Sequence, residues 1–443
     1  MSCRDLTVCA LAALFSASSA LAASLTPYFH SFIGRDGTKW TQSLSPGVAA
    51  PVPNAAVYSG GEYNISIAKI AVDNAGNVYA IGSQLVTVGS YTAKSVFVTK
   101  TDATGATVYI TRLGGKGEDI ALGIGVDASG RVFGAGYTTS PDFPRLHAIQ
   151  TERSTAGATG FVFALDPSGN LLWSTYFGGS GTPHGFIGSS VKALAVDAAG
   201  NVCIAGTSQL PNLLTTPGAY RTTGNFSNVT YNISNGFVAK LAPTGQLVFS
   251  TWLGGSLIDC NLQGCIYGGS RMDAGTAVAV DSAGDIFVAG YTDSSDFPVT
   301  PGAFHTATPE VCPPNAFCPA MNEFYNAFLT KLKPDGSGLI YSTFLGSLGP
   351  AYQPPPDGAN KGLAIDSAGN AYVAFATTAV YIPIPATGGL QATPPDASDV
   401  LVLALNPAGG GLKIATWLGG SGDDFVKDIA LDSGGNIYVS GST

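Results

Sequence analysis

Charge is scarce in this chain. Of its 443 residues only 11% are Asp, Glu, Lys or Arg, and the net charge is −9. No run of Lys or Arg occurs anywhere, which argues against nucleic acid, whose phosphates call for clustered cations. The acidity is dispersed, as on a solvated surface rather than in an interaction tail. Histidine is as sparse: His30, His147, His184 and His305 stand alone, with no HExxH or HxH spacing and no repeat-equivalent position among them. Metal-dependent hydrolysis therefore has little to stand on. A Ser-His-Asp set needs members that meet only in space, and none can be singled out among so many Ser and Thr. No EF-hand or nonapeptide calcium repeat is present. No helical period persists beyond the first residues, so an α/β fold is not expected.

Long apolar runs are also rare, although 45% of the residues are hydrophobic. Only Leu6 to Leu25 approaches the roughly 20 residues a membrane-spanning helix requires. That run follows Arg4, has its apolar part from Val8 to Phe15, and ends in Ala20-Leu21-Ala22. A short apolar core before a small-x-small site reads as a signal peptide, residues 1–22, cleaved after Ala22. Residues 23–443 then form one exported domain without a membrane span, secreted, periplasmic or at the cell surface.

Of seven cysteines, Cys3 and Cys9 leave with the leader. Cys203 stands in a repeated strand where sister copies carry Tyr79, Phe133, Phe287, Tyr372 and Tyr438, so it reads as a small apolar core residue. Cys260, Cys265, Cys312 and Cys318 lie in two irregular insertions. In an oxidising compartment they are disulfide candidates. A zinc site is the rival reading, disfavoured because no His lies among them and neither spacing is CxxC.

What the chain has in abundance is glycine, 58 residues, distributed through two alternating patterns. The first is an apolar strand, an Asp-x-x-Gly turn and a second strand, as in Ala71-Val72-Asp73-Asn74-Ala75-Gly76-Asn77-Val78-Tyr79. Its turn aspartates are Asp73, Asp127, Asp197, Asp281, Asp366 and Asp432, spaced 54, 70, 84, 85 and 66 residues apart. The second pattern runs Phe-Val-x-Lys-Leu-x-Pro-x-Gly to Ser-Thr-aromatic-Leu-Gly-Gly and begins at Phe97, Phe161, Phe237, Phe328 and Leu401. A degraded sixth copy precedes them, with Phe29 to Ile33 and Trp40 to Leu44 flanking Gly34-Arg35-Asp36-Gly37. Each pattern is a hairpin: β-branched and aromatic residues suit a pleated, half-buried strand, and Asp, Pro and Gly supply the turn. The turn Asp accepts from backbone N–H groups two residues on, and Gly takes positive φ. Two hairpins per repeat, the Phe-Val hairpin followed by the Val-Asp hairpin, make a four-stranded antiparallel sheet. Such sheets repeated along a chain predict an all-β β-propeller of about six blades, seven being the alternative. A β-solenoid is the runner-up, but its coils are shorter.

With these residues in hand, the chain resembles the bacterial β-propeller repeat (SBBP repeat) family. Val280 to Thr292 followed by Ser294-Ser295-Asp296-Phe297-Pro298 carries the likeness, as does Tyr137-Thr138-Thr139-Ser140-Pro141-Asp142-Phe143-Pro144. Phe375 departs from it, standing where the repeat has Gly. The resemblance implies a secreted or surface-exposed propeller and supplies neither a catalytic residue nor a cofactor.

Antiparallel topology puts both hairpin turns of a blade at one end and the other connections at the opposite end. Every large insertion falls in the second set: Ser208 to Asn235, Gly255 to Ala274, Thr292 to Ala327, Gly346 to Lys361 and Thr377 to Ser398. Variable loops on a rigid scaffold are where binding resides. The acidic residues after Leu-Gly-Gly (Glu118, Asp119, Asp259, Asp423 and Asp424) are candidates for Ca²⁺ or for acid–base chemistry on a glycosidic bond. Against that stands the plainer expectation that they cap loop N–H groups. Lys100, Lys240 and Lys331 share one repeated position; were that strand innermost, they would line a central channel, but the plainer expectation is a stem laid over a neighbouring aromatic with its head in water. Sequons at Asn64, Asn225, Asn228 and Asn232 matter only in a eukaryotic secretory route. The expectation is a non-enzymatic, exported scaffold that binds a protein or a glycan through the long-loop face. The alternative is an extracellular polysaccharide hydrolase or lyase with carboxylates near the axis. The chain stops at Gly441-Ser442-Thr443, before a further Asp-Phe-Pro element, so either the ring closes there or further C-terminal blades or domains follow.

Overall fold

A computed structural model describes residues 29–33, 39–43, 65–88, 91–154, 157–180, 188–226, 233–256, 271–308, 324–350, 362–377, 398–420 and 422–442. The expected leader, the four insertion cysteines, Asp259, His184 and three of the four sequons lie outside these residues. Among the described residues every regular element is a strand.

A hairpin comes first, β1 (Phe29–Ile33) with β2 (Lys39–Ser43). The first complete sheet is β3 (Ile65–Val72), β4 (Val78–Val88), β5 (Tyr91–Thr101) and β6 (Thr107–Leu113), paired in chain order. The second is β7 (Asp119–Val126), β8 (Val132–Thr138), β9 (Thr159–Leu165) and β10 (Leu171–Phe177). The third is β11 (Ser189–Val196), β12 (Val202–Ser208), β13 (Ile233–Leu241) and β14 (Leu247–Leu253), with the two-residue β15 (Arg271–Met272) added in parallel to β13. The fourth is β16 (Ala274–Val280), β17 (Ile286–Thr292), β18 (Phe324–Leu332) and β19 (Leu339–Pro350). The fifth is β20 (Gly362–Ile365), β21 (Ala371–Thr377), β22 (Asp399–Leu405) and β23 (Leu412–Leu418). A second lone hairpin, β24 (Phe425–Leu431) with β25 (Ile437–Ser442), ends the described chain.

The chain is thus an all-β propeller with the strand complement of six blades. Its hairpins combine in a phase other than the one the repeats suggested. Each blade begins with the Val-Asp hairpin and ends with the Phe-Val hairpin, so that five sheets are complete and one hairpin is left over at either end. The Leu-Gly-Gly segment consequently joins one blade to the next.

The first strand of each blade is the inner one: β3, β7, β11, β16, β20 and β24 pack successively against one another. Close approach there is possible because one face of these strands is small. A Cβ on Gly123 would meet Leu194 Cβ at 3.0 Å, and one on Gly362 would meet Ile429 Cγ2 at 3.1 Å. Five of the six inner strands also carry a bulge, at Ala68, Leu122, Lys192, Thr276 and Lys427, which adds twist where the blades converge. Farther out, separate apolar clusters fill the gaps between successive sheets. Ile81 and Val98 of the first sheet meet Phe161 and Phe163 of the second, for example, and Leu329 of the fourth meets Leu401 and Leu403 of the fifth. At the seam, Lys69 of β3 and Asp428 of β24 approach to 3.4 Å, bringing the first and last inner strands together.

Candidate functional site

The two ends of the blades differ in chemistry. At the turn end the six turn aspartates are engaged in one recurring way. Asp73 Oδ1 accepts the N–H groups of Ala75 and Asn77 (both 2.9 Å), while Oδ2 accepts Asn77 Nδ2 (2.7 Å) and the Tyr79 hydroxyl (2.9 Å). Asp366 and Asp432 repeat the set with Tyr372 and Tyr438. Where the tyrosine is absent, a cation takes over. Asp127, opposite Phe133 in the series, binds Arg131 at 2.6 Å; Asp197 binds Lys240 at 2.8 Å; Asp281 binds Lys331 at 3.0 Å. Burial works to raise the carboxyl pKa of Asp73, Asp127, Asp197 and Asp366, whereas at Asp432 the Asn436 side-chain hydrogen bond is the largest influence. The hydrogen bonds outweigh it and hold all five below the ordinary value.

These contacts correct the reading of the lysines. The Phe-Val strand is third from the axis, so Lys100, Lys240 and Lys331 do not line a central channel. Lys240 and Lys331 serve the turn carboxylates, and the Lys100 ammonium lies 5.3 Å from the Tyr79 ring centre. Each sits directly across the strand pair from the residue six beyond the turn Asp: Lys100 from Tyr79, Lys240 from Cys203, Lys331 from Phe287. Cys203 is fully buried among apolar side chains, and burial pushes its thiol up to about 12.

At the loop end the Leu-Gly-Gly and Asp-Phe-Pro motifs interlock. Asp119, fully buried, accepts the Gly115 N–H (2.8 Å) on one oxygen and the Thr138 hydroxyl (2.5 Å) on the other. Thr138 Oγ1 in turn accepts the Ser140 N–H at 2.8 Å, and Asp142 accepts the Lys116 N–H at 2.8 Å. Two blades on, Asp273, Gly255, Thr292, Ser294, Asp296 and Ser256 repeat this network bond for bond. Asp424 accepts the Gly420 N–H at 2.8 Å in the last hairpin. Both glycines of the motif are required by contact: a Cβ on Gly254 would lie 2.3 Å from Asp273 Oδ2, and one on Gly255 2.4 Å from Asp296 Oδ1. Burial raises the Asp119 pKa, against the pull of Thr138, Gly115 and Ser140.

The acidic candidates therefore divide. Asp119 and Asp424 brace loops on different blades, Glu118 lies 4.0 Å from Lys94, and Asp423 accepts the Ser398 N–H at 3.3 Å. Among the described residues no three His, Cys, Asp or Glu side chains converge as a metal would need. Asp273 escaped notice in the sequence because the 257–270 insertion separates it from its Leu-Gly-Gly partner, and Asp296 was read only as part of the Asp-Phe-Pro motif.

The described parts of the insertions run outward from this end. Residues 139–154, 209–226 and 293–308 each turn down the outer edge of their own blade. Leu146 and Ser174 exchange backbone bonds of 3.1 and 2.8 Å; Thr216 and Thr300 donate their N–H to the Ser250 and Ser342 carbonyls and accept the serine N–H groups on their hydroxyls. The segments then reach the next blade, Tyr220 N–H donating to Gly336 O (2.8 Å) and Phe304 N–H to Gly409 O (3.0 Å). The Ser of the Ser-Thr motif marks a covered outer edge, since an uncovered edge strand invites foreign pairing. In the first blade, where only residues 89–90 link β4 to β5, Ile110 takes its place and is exposed.

Residues 266–298 and 415–443 match the family model of the SBBP beta-propeller repeat. No curated protein matches the chain. Among solved structures, a mutant apocarotenoid oxygenase of Synechocystis is similar with a TM-score of 0.34 at 9% identity, over 83% of this chain and 62% of that one. The chain thus spans less than two thirds of the oxygenase's length. A glucose dehydrogenase gives a TM-score of 0.34 at 9% identity over 85% and 96% of the two chains. The WD40 domain of Neurospora crassa Pan2 gives 0.31 at 10% identity over 85% and 89%.

Proposed function

Taking the chain as a β-propeller that carries SBBP repeats, we propose that it is an exported, non-enzymatic binding module. Its ligand, a protein or a glycan outside the cell, is held at the loop end of the blades. The observation that carries this reading is the asymmetry of the two ends. Turn-end connections are short, nearly uniform and self-satisfied: Thr101 to Thr107, Leu165 to Leu171 and Leu241 to Leu247 are all joined by five residues. Loop-end connections vary from the two residues after Val88 to the long segments after Thr292 and Thr377. Braces built on Asp119, Asp273 and Asp424 anchor their roots. A rigid base under variable loops is the arrangement by which propellers and other repeat scaffolds present recognition surfaces. Export follows from the leader at residues 1–22.

The test is a loop exchange. The 257–270 segment, and separately 378–397, is cut to the length found in the first blade. Wild type and variants are then compared on a glycan array and against isolated cell-surface proteins. Binding lost with either cut, while the thermal midpoint holds, supports the reading. Binding that survives both cuts and is lost on changing exposed turn-end residues such as Lys333 would overturn it. N-terminal sequencing of the mature protein tests cleavage after Ala22.

A further inference from the structure

We infer that the segment covering the outer edge of the fourth blade, residues 293–308, is an acid-operated clasp with His305 as its proton-accepting group. Three covers lie along outer edges in the same way, so each position of one has counterparts in the others. Thr216-Pro217-Gly218-Ala219-Tyr220-Arg221 on the third blade answers to Thr300-Pro301-Gly302-Ala303-Phe304-His305 on the fourth. The second blade has the shorter Leu146-His147-Ala148-Ile149-Gln150, in which His147 (φ 51°) turns the chain as Gly218 (φ 81°) and Gly302 (φ 79°) do. Gln150, Arg221 and His305 thus share one place. Their backbones behave alike: the N–H groups donate to the hydroxyls of Thr175, Thr251 and Thr343 at 3.0, 2.8 and 2.8 Å. Trp252 N–H donates to Arg221 O at 3.0 Å, and Phe344 N–H donates to His305 O at 3.1 Å.

The side chains differ. Gln150 Nε2 donates to Gly179 O at 2.7 Å, and Arg221 Nη1 donates to Gly254 O at 2.5 Å. Each ties its cover to the Gly-Gly segment that follows the outer strand. His305 makes no such tie. Its Nε2 is buried with no hydrogen-bond partner among the described residues, and its ring centre lies 4.1 Å from that of Phe304.

A neutral imidazole is tolerated in that place, whereas an imidazolium there is a buried charge that needs an acceptor or a counter-ion. The charged groups around it are engaged elsewhere. β19 carries no charged side chain. On the cover itself, Asp293 accepts the Met272 N–H and Asp296 accepts the Ser256 N–H. Lys331 of β18 is bound to Asp281 and Asp285, and Lys413 of the fifth blade donates to Asn370. Burial holds the His305 pKa below the ordinary histidine value. The closed cover is therefore at full strength above that ordinary value and weakens as pH falls from there to the lowered one. A charged ring regains its hydration by swinging to water, which strains the bonds on either side of it. These are Phe344 N–H to His305 O, Ser342 N–H to Thr300 Oγ1 at 3.0 Å, and Phe304 N–H to Gly409 O of the fifth blade at 3.0 Å. The third blade's cover holds a permanently charged guanidinium at the same place and has nothing there to titrate.

Peptide-resolved amide exchange of the full chain tests this between about pH 7.5 and about pH 5, the span in which histidine titrates. Protection is corrected for the intrinsic pH dependence of exchange. At Ser342 and Phe344 it should fall by roughly tenfold on acidification, and at Ser250 and Trp252 it should hold. His305→Gln, which gives the fourth blade the residue of the second, should abolish the difference. Unchanged protection at Ser342 and Phe344 in the wild type overturns the inference. So does a loss that persists in His305→Gln, or one that strikes the third blade equally, because acid would then act through other groups.

Discussion

The Lys240–Asp197 pair offers a decisive test of the turn-end chemistry. The two groups meet at 2.8 Å with side chains only 9% and 8% exposed, so the charges are largely removed from water. Lys240→Met keeps most of the side-chain volume and strands the carboxylate. Breaking one side of a buried pair costs about 3–5 kcal/mol. Asp197 retains Asn201 Nδ2 at 2.8 Å and two backbone N–H bonds, so the lower part of that range, about 3 kcal/mol, is expected here. Adding Asp197→Asn removes the stranded charge while keeping an acceptor for the turn. The double variant should return to within about 1 kcal/mol of wild type, since uncharged replacements of a buried pair are near neutral. The fifth blade does without the cation: Ala404 faces Tyr372, and the tyrosine hydroxyl donates to the Asp366 carboxylate instead. The assay is denaturant unfolding of all four proteins in a double-mutant cycle, read by tryptophan fluorescence and by amide exchange at the 197–203 hairpin. The sign in pH is set as well. Burial opposes but Lys240 and Asn201 prevail in lowering the folded-state pKa of Asp197. The pair's contribution is therefore present above the ordinary carboxyl value and fades as pH falls through the lowered one. A Lys240→Met loss below about 0.5 kcal/mol, the level of an exposed pair, would refute the claim that this ion pair holds the turn.

Further outcomes are open to measurement. Gly290→Ala should lower stability by more than about 3 kcal/mol, as severe backbone overpacking does, because its Cβ would lie 1.9 Å from the Ala274 carbonyl oxygen. Gly302→Ala, with φ at 79° and nothing within 4 Å, should cost only about 1 kcal/mol in the same thermal melts. Asp127→Asn and Asp119→Asn should show opposite pH trends relative to wild type. For Asp127, whose folded pKa is lowered despite burial, the wild-type advantage is present near neutrality and is lost on acidification. For Asp119, whose pKa burial raises, the carboxyl's contribution falls as pH rises through the shifted value. Parallel trends in the two series would contradict the assignment. Cys203 should resist thiol reagents in the native state and react only on unfolding, as peptide-resolved mass spectrometry of labelled protein would show.

Much of the fold was legible because it rests on local chemistry. An Asp-x-x-Gly turn between two apolar strands needs no distant partner to form, since Asp73 Oδ1 takes N–H groups two and four residues on. Six such turns alternating with the Phe-Val hairpins were enough to imply antiparallel sheets and a propeller. The loop-end brace was half legible: Leu-Gly-Gly and Asp-Phe-Pro stand out as words, but that Asp119 and Asp273 join them is a matter of space. The lysines were half legible: Lys100 and Lys331 do lie over a neighbouring aromatic, but the distance of their strand from the axis is not written in the repeat, nor are the ion pairs of Lys240 and Lys331. Insertions such as Ser208 to Asn235 read as variable loops, and the bonds of Thr216 to Ser250 and of Thr300 to Ser342 were not foreseen.

Local sequence thus determined the hairpins, their turns and their number. Tertiary structure decided which hairpin joins which, which strand is inner, and which carboxylates are engaged. The physical reason is that strand pairing between hairpins is non-local. A Phe-Val hairpin could zip to the Val-Asp hairpin before it or after it with the same local pattern. What selects the observed phase is the packing at the axis, where Gly123 and Gly362 admit Leu194 and Ile429 of the next blade. That choice leaves the β1–β2 hairpin at one end of the described chain and the β24–β25 hairpin at the other.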